Sequence, residues 1–277
     1  MLAVQGVAAK IRGTGRVGRP TLVLMHFLGG SGREWDEVIA LLGNDYETVT
    51  VDLPGFGDSA EMTGYTVAEM ADAVEALISE LRLQHYVLVG HSMSGKVAAV
   101  LARRAEDRAG NPTKNRGLEE LAGLILLAPS PAGPEPMTEE KRGGMIASLG
   151  ERGEREEDRT KARAYVTRNE ERDMPDAVVA RAADEVLRMN RTAWVAWLAY
   201  GSKEDWLERV GVLTLPVLVV AGENDASLGP ETQKRVTMPH VTRGEMRVMK
   251  GCSHLIPMER PMELANMMRE FVSSVSR

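Results

Sequence analysis

Short apolar runs alternate with amphipathic stretches along this chain, which predicts an α/β protein with a mainly parallel sheet flanked by helices. Three observations carry that expectation. First, six apolar runs, at 21–25, 47–51, 86–89, 123–127, 217–221 and 246–249, are continuous blocks, as expected of strands covered on both faces. Second, helical patterns separate them, at 66–83, 93–107 and 261–275. Third, one long segment, 131–215, contains no such apolar block and reads as helical throughout, so it is expected to be an insertion.

The strand blocks need no special pleading, because parallel strands joined by right-handed crossovers require helices between them. The helix at 66–83 is the clearest. Thr66 and Glu69 have the spacing of a capping box, and Val67, Met70, Val74, Leu77, Ile78 and Leu81 make one apolar stripe. Pro261 suits the first turn of the last helix, where its missing N–H costs little. The expected organisation is therefore a core domain from 1–130 and 216–277, with a helical cap over 131–215.

Within that insertion, residues 151–172 are dense in Glu and Arg, whereas 191–206 gathers Trp194, Trp197, Tyr200 and Trp206. Aromatics make up only 4% of the chain, so the clustering is uneven. Trp194 and Trp197 either face a substrate or anchor the insertion to the core, the usual reason large aromatics are buried. Residues 111–117 (NPTKNRG) are expected to form an exposed loop.

Composition narrows the function class. A chain of 277 residues can bury a large core without disulfides or a structural metal. A hydrophobic fraction of 43% and a charged fraction of 27% fit a soluble globular enzyme. The formal net charge of −6, with signs interspersed, gives no reason to expect a nucleic-acid partner. The single cysteine, Cys252, allows no intrachain disulfide and fits a reducing cytoplasm. No apolar run approaches the roughly 20 residues of a membrane span, and residues 1–20 lack the apolar core of a signal peptide. The expectation is a cytoplasmic protein with a small-molecule substrate and no membrane partner. Oligomeric state leaves no mark in the sequence.

The strongest chemical signal is the run 87–95, VLVGHSMSG. A buried strand passes through Gly90 to Ser92 and then small residues open a helix, the layout of a nucleophile elbow. Such a turn needs small residues where strand and helix crowd together, and it projects the serine hydroxyl clear of the sheet. The final glycine of the usual Gly-x-Ser-x-Gly pattern is Ser94 here, with Gly95 one step later. A serine needs a base and an orienting acid to act as a nucleophile. The chain has five histidines. His26 ends a strand, His85 precedes one, His91 adjoins Ser92 and is expected to point away, and His240 follows Pro239. His254 follows the run 246–249 and so falls at the carboxyl end of the sheet, where ligands bind in open α/β folds. Asp225 follows the run 217–221, with Glu223 as its competitor. After the preceding strand, 127–131 reads LAPSP and carries no carboxylate. The chain order Ser92, Asp225, His254 is that of one known triad arrangement.

These residues, with the segments 24–31 (LMHFLGGS), 52–59 (DLPGFGDS) and 251–254 (GCSH), resemble the α/β-hydrolase superfamily over nearly all of the chain outside the insertion. The resemblance implies the α/β-hydrolase fold and acyl transfer, with Ser92 as nucleophile, His254 as base and Asp225 orienting the imidazole. It implies an oxyanion hole from the backbone amides of Met93 and Leu28, with Phe27 as the alternative to Leu28. Phe27 stands where relatives often have glycine. His26 would support that loop by hydrogen bonds, the 52–59 turn would be structural, and Trp35 and Phe56 are candidates to line the pocket. No cofactor is implied, and no metal-ligand spacing is visible. Serine at 92 separates the chain from dehalogenases and epoxide hydrolases of this fold, which use aspartate. The expected activity is carboxylesterase-like, on a small or medium and rather apolar ester. A carbon–carbon bond hydrolase or lactonase, and a small-molecule receptor that keeps the triad, are the alternatives.

Overall fold

A computed structural model describes residues 2–4, 7–109, 121–169 and 174–275, with side chains from residue 7 onward. Residues 111–117, expected as an exposed loop, lie outside the described residues. Eight strands form one sheet: β1 (Leu2–Val4), β2 (Val7–Arg12), β3 (Thr21–Met25), β4 (Thr48–Asp52), β5 (Tyr86–His91), β6 (Leu121–Leu127), β7 (Leu213–Gly222) and β8 (Val241–Met249). Their order is β1-β2-β4-β3-β5-β6-β7-β8. From β4 to β8 every pairing is parallel, and only β1 and β2 run antiparallel to their neighbours.

The central strands match the continuous apolar blocks, because every residue of β4 and β5 is buried. The edges were illegible for a physical reason. β1 pairs only with Val7, Ala8 and Ala9 of β2, so the far half of β2, with Lys10 and Arg12, lies at the sheet edge and is exposed or half-exposed. β8 starts at Val241, ahead of the expected 246, because Thr242, Arg243 and Glu245 face solvent and break the apolar run. Edge strands with one face in water tolerate such residues.

The helices are α1 (Asp36–Leu42), α2 (Val67–Glu80), α3 (Met93–Ala109), α4 (Glu139–Leu149), α5 (Arg155–Arg168), α6 (Asp176–Arg188), α7 (Arg191–Ala199), α8 (Leu207–Val210), α9 (Pro230–Val236), α10 (Ile256–Glu259) and α11 (Pro261–Val275). Both halves of the Thr66–Glu69 capping box are formed at the start of α2. The α2 and α3 side chains pack on one face of the sheet, and α1 and α11 cover the other. Among the described residues no helix is long and apolar enough to cross a membrane.

Helices α4 to α8 all fall between β6 and β7 and share a core with the α2/α3 face. Ion pairs tie them down, with Arg33 to Glu185 at 2.7 Å, Arg181 to Glu37 at 3.2 Å and Arg188 to Asp58. Two buried cations fix the turn after α7. Lys96, on α3 and 0% exposed, donates to the carbonyls of Gly201 and Ser202 at 3.2 Å each and of Glu204 at 2.9 Å. Arg142, on α4, donates to the Leu198 carbonyl at 2.7 Å and to the Ser202 hydroxyl. The last carbonyls of a helix have no partner within it and attract positive charge, so cations belong there. Burial pushes the Lys96 ammonium down to about 8, against the pull of Glu135, Glu204 and Asp205.

The chain order reverses at β3, which has β4 on one side and β5 on the other. A crevice opens outside the carboxyl ends of the strands at such a switch point. The loop after β3 and the turn after β5 both meet there.

Candidate active site

Ser92 is delivered by β5 onto the first turn of α3 at φ 54, in the left-handed region. A non-glycine residue there carries strain of order 1 kcal/mol, and packing must hold it. A Cβ at Gly90 would come within 2.7 Å of the Ser94 carbonyl oxygen, and one at Gly95 within 2.5 Å of the Pro129 Cβ. Ser94 explains the departure from the usual pattern. Its hydroxyl accepts from the His91 amide at 2.9 Å and reaches the Met25 carbonyl at 3.0 Å, so it laces the turn to β3. The close approach to the loop after β6 falls on Gly95 instead.

β7 and β8 bring the other two residues to the same edge. His254 Nε2 lies 2.8 Å from Ser92 Oγ, and His254 Nδ1 lies 2.6 Å from Asp225 Oδ2. The second Asp225 oxygen accepts from the amides of Ser227 at 2.8 Å and Leu228 at 3.0 Å. An ionised carboxylate only accepts, so Nδ1 carries the proton and Nε2 is free to take one from Ser92. Glu223, the competing acid, is exposed and accepts from the Gly251 amide at 2.9 Å, bracing the turn that leads to His254. The insertion reaches in as well, since the His254 amide donates to the Asn169 carbonyl at 3.1 Å.

Burial raises the Asp225 carboxyl, but the charge of His254, the bond to it and the two amides outweigh that and hold it well below the usual carboxylate range. Burial likewise lowers His254. The Asp225 carboxylate and its hydrogen bond prevail and hold the imidazole above its ordinary value, with Glu135 adding to the rise and Lys141 opposing it. A base must be neutral to accept a proton. If Ser92 is activated by His254, activity should climb with pH through a midpoint above about 6.5, the ordinary histidine value. A pH–rate profile of kcat/KM checks this, and a curve flat from about pH 5 to 9 would remove His254 as the base.

The oxyanion candidates divide. Met93 opens α3, so its amide has no acceptor within the helix. Leu28 lines the space above Ser92, and its carbonyl accepts from the Tyr165 hydroxyl of α5 at 2.9 Å. The amide of Phe27, the alternative to Leu28, is already taken, donating to Glu34 Oε2 at 3.3 Å. His26 donates from Nδ1 to the Phe27 carbonyl at 2.7 Å and accepts the Leu53 amide at Nε2 at 3.0 Å, which fixes it as a neutral tautomer in support of the loop.

A cavity of about 360 Å³ lies over the three residues. Met137, Met145, Trp197 and Leu228 give it an apolar wall, and Glu135, Lys141, Arg168 and Asn169 a polar one. Of the three tryptophans proposed to touch substrate, Trp197 lines it and two do not. Trp194 is fully buried one layer behind, its indole N–H donating to the Met145 carbonyl at 3.1 Å and its ring 5.0 Å edge-on from Tyr165. Trp35 is fully buried in the α1/α11 layer on the opposite face of the sheet. Phe56 is also core, packed edge-on to His26 at 5.3 Å. The sequence reading missed Tyr165, Met137, Met145, Lys141 and Arg168, because pocket walls built from a helical insertion carry no local motif.

Residues 22–267 match the alpha/beta hydrolase family, and the chain belongs to it. It is similar to a putative carbamate hydrolase RutD of Yersinia enterocolitica, 37% identical over 95 residues, which are 34% of each chain. It is also similar to a 2-succinyl-6-hydroxy-2,4-cyclohexadiene-1-carboxylate synthase of Serratia proteamaculans, 31% identical over 37% of this chain and 40% of that one. The chain thus matches well under half the length of these curated relatives. Among solved structures, a thermophilic esterase from Thermogutta terrifontis superposes with a TM-score of 0.77 at 26% identity, covering 98% of this chain and 94% of that one. An enol-lactonase from Burkholderia xenovorans LB400 superposes at 0.79 with 19% identity over 98% and 99% of the two chains, a likeness of fold alone.

Proposed function

We propose that this protein is a serine hydrolase that cleaves a carboxylic ester of small or medium size through an acyl-enzyme, with residues 131–215 acting as a cap. One observation carries the reading: an unbroken hydrogen-bonded chain from Ser92 Oγ through His254 to Asp225, open to a cavity of about 360 Å³. Ser92 Oγ attacks the acyl carbon while its proton passes to His254 Nε2. Asp225 stabilises the imidazolium. The amides of Met93 and Leu28 receive the oxyanion, each such donor contributing about 3 kcal/mol. His254 then protonates the departing alkoxide as the C–O bond breaks. Water gives its proton to the same imidazole and attacks the acyl-enzyme; the bond to Ser92 Oγ then breaks, His254 returns the proton to that oxygen, and the acid leaves.

The mixed cavity walls broaden the expected substrate beyond a purely apolar one. Met137, Met145 and Trp197 suit an alkyl or aryl group, and Lys141 and Arg168 offer positive charge to a polar end. The cavity volume sits at the small end of ligand pockets, so short and medium acyl chains should turn over ahead of long ones. A fluorophosphonate probe should label Ser92 stoichiometrically. A rate panel of p-nitrophenyl esters, lactones and diketones should then show the esters fastest. Preference for lactones or diketones would reassign the bond cleaved, and a folded protein that resists the probe would end the reading.

A further inference from the structure

The residue beside the nucleophile grips the backbone of the base. His91 Nε2 lies 2.8 Å from the His254 carbonyl oxygen, and His91 Nδ1 lies 3.1 Å from Glu34 Oε1. The other Glu34 oxygen, Oε2, is the one that holds the Phe27 amide at 3.3 Å. Both side chains are sealed from solvent, at 0% and 2% exposure. The His91 ring sits among Phe27, Trp35 and His254, with centroids 5.6, 6.5 and 5.5 Å away.

Donor counting makes this arrangement unusual. A neutral imidazole has one N–H, yet both ring nitrogens of His91 face oxygen acceptors. With the N–H on Nε2 serving the His254 carbonyl, Nδ1 would oppose a carboxylate, lone pair to lone pair. The contact is sound only with a proton between Glu34 and His91, on either partner. A buried pair of this kind is costly unless its hydrogen bonds are complete, and here each atom has a partner.

We propose that Glu34 and His91 form a buried, proton-sharing pair that positions two active-site loops together: the loop carrying His254, through its carbonyl, and the loop carrying Leu28, through the Phe27 amide. Neither residue touches the reacting atoms, so both are positioning residues. The pair also accommodates the bulk of Phe27. The amide of Phe27 is captured by Glu34, and its ring packs against His91, so the bulk is absorbed behind the oxyanion loop. The proposal rests on the serine-hydrolase reading.

Substitution at Glu34 separates positioning from bulk structure. In Glu34→Gln the amide oxygen can still accept from Phe27, and the NH₂ can donate to Nδ1 of a neutral His91, so every contact survives without the extra proton. In Glu34→Ala both contacts vanish. Wild type, Glu34→Gln and Glu34→Ala are compared by the rate of fluorophosphonate labelling at Ser92 and by kcat and KM on p-nitrophenyl acetate. Glu34→Gln should stay within a few-fold of wild type. Glu34→Ala should label roughly 10- to 100-fold more slowly, the loss expected from a small misplacement of catalytic groups, with kcat falling and KM little changed. If Glu34→Ala does not fold, the apolar filler Glu34→Leu takes its place under the same criteria. A folded Ala or Leu variant labelling at the wild-type rate overturns the proposal, as does a Gln variant as slow as the Ala one. A wild type that does not label overturns the hydrolase reading, and this proposal with it.

Discussion

Replacing Ser92 with alanine should abolish fluorophosphonate labelling and lower turnover by about 10⁴-fold or more, while the protein melts close to wild type. The first expectation follows from removing the proposed nucleophile. Ser92 Oγ is the group at 2.8 Å from His254 Nε2, and without it the imidazole has no proton to take. Residual activity would come from oxyanion stabilisation and binding alone. The second expectation follows from where the turn is held. The Ser92 amide donates to the Leu127 carbonyl at 2.9 Å, and its own carbonyl accepts from Gly95 and Ser130, both at 2.9 Å. Those are backbone bonds and survive the change. Alanine meets the same strain at φ 54 that serine already bears, so the elbow keeps its shape. Labelling, kcat/KM and a thermal melt measured together check the result. Near-normal activity in Ser92→Ala would show that a different group carries the chemistry.

The distinction between catalytic atoms and their supports also marks what a sequence reveals. The central sheet was readable because strands buried on both faces must be apolar throughout, and 86–91 is such a strand. That Ser92, Asp225 and His254 would meet was readable because each lies within a few residues of the end of one of those strands, so chain order stood in for geometry. The far half of β2, which β1 does not cover, and the first half of β8 were not, since a segment at the sheet edge needs no apolar block and these carry Lys10, Arg12, Arg243 and Glu245. Glu34 was invisible for a different reason. A carboxylate between Arg33 and Trp35 reads as a surface residue, and its burial is decided by His91, 57 positions away. The tryptophans show the limit from the other side. Composition flagged Trp194 and Trp197 together, and on a helix three residues apart they share a face, yet one lines the cavity and the other fills the layer behind it. Packing of α7 against α4 and α5 decides that, and a single chain read linearly does not carry it.

Asp225→Asn should reduce kcat/KM by roughly 10³- to 10⁴-fold without unfolding the protein, because it changes the tautomer and the charge environment of His254 while leaving the backbone contacts in place. Asp225 Oδ1 accepts the amides of Ser227 and Leu228, and Oδ2 faces His254 Nδ1 at 2.6 Å. In the variant the amide oxygen can keep the Oδ1 position, which leaves the NH₂ facing Nδ1. A donor there stabilises the tautomer with the proton on Nε2, pointing at Ser92 Oγ, and that imidazole cannot act as the base. The variant also removes the negative charge that holds His254 above its ordinary value, and desolvation then acts unopposed by it. What activity remains should therefore rise with pH through a lower midpoint than in wild type. Glu223→Gln is the matched control. Glu223 only braces the Gly251 amide from the exposed side, so its loss should cost less than about tenfold. If Glu223→Gln proves the more damaging of the two, the acid has been assigned to the wrong residue.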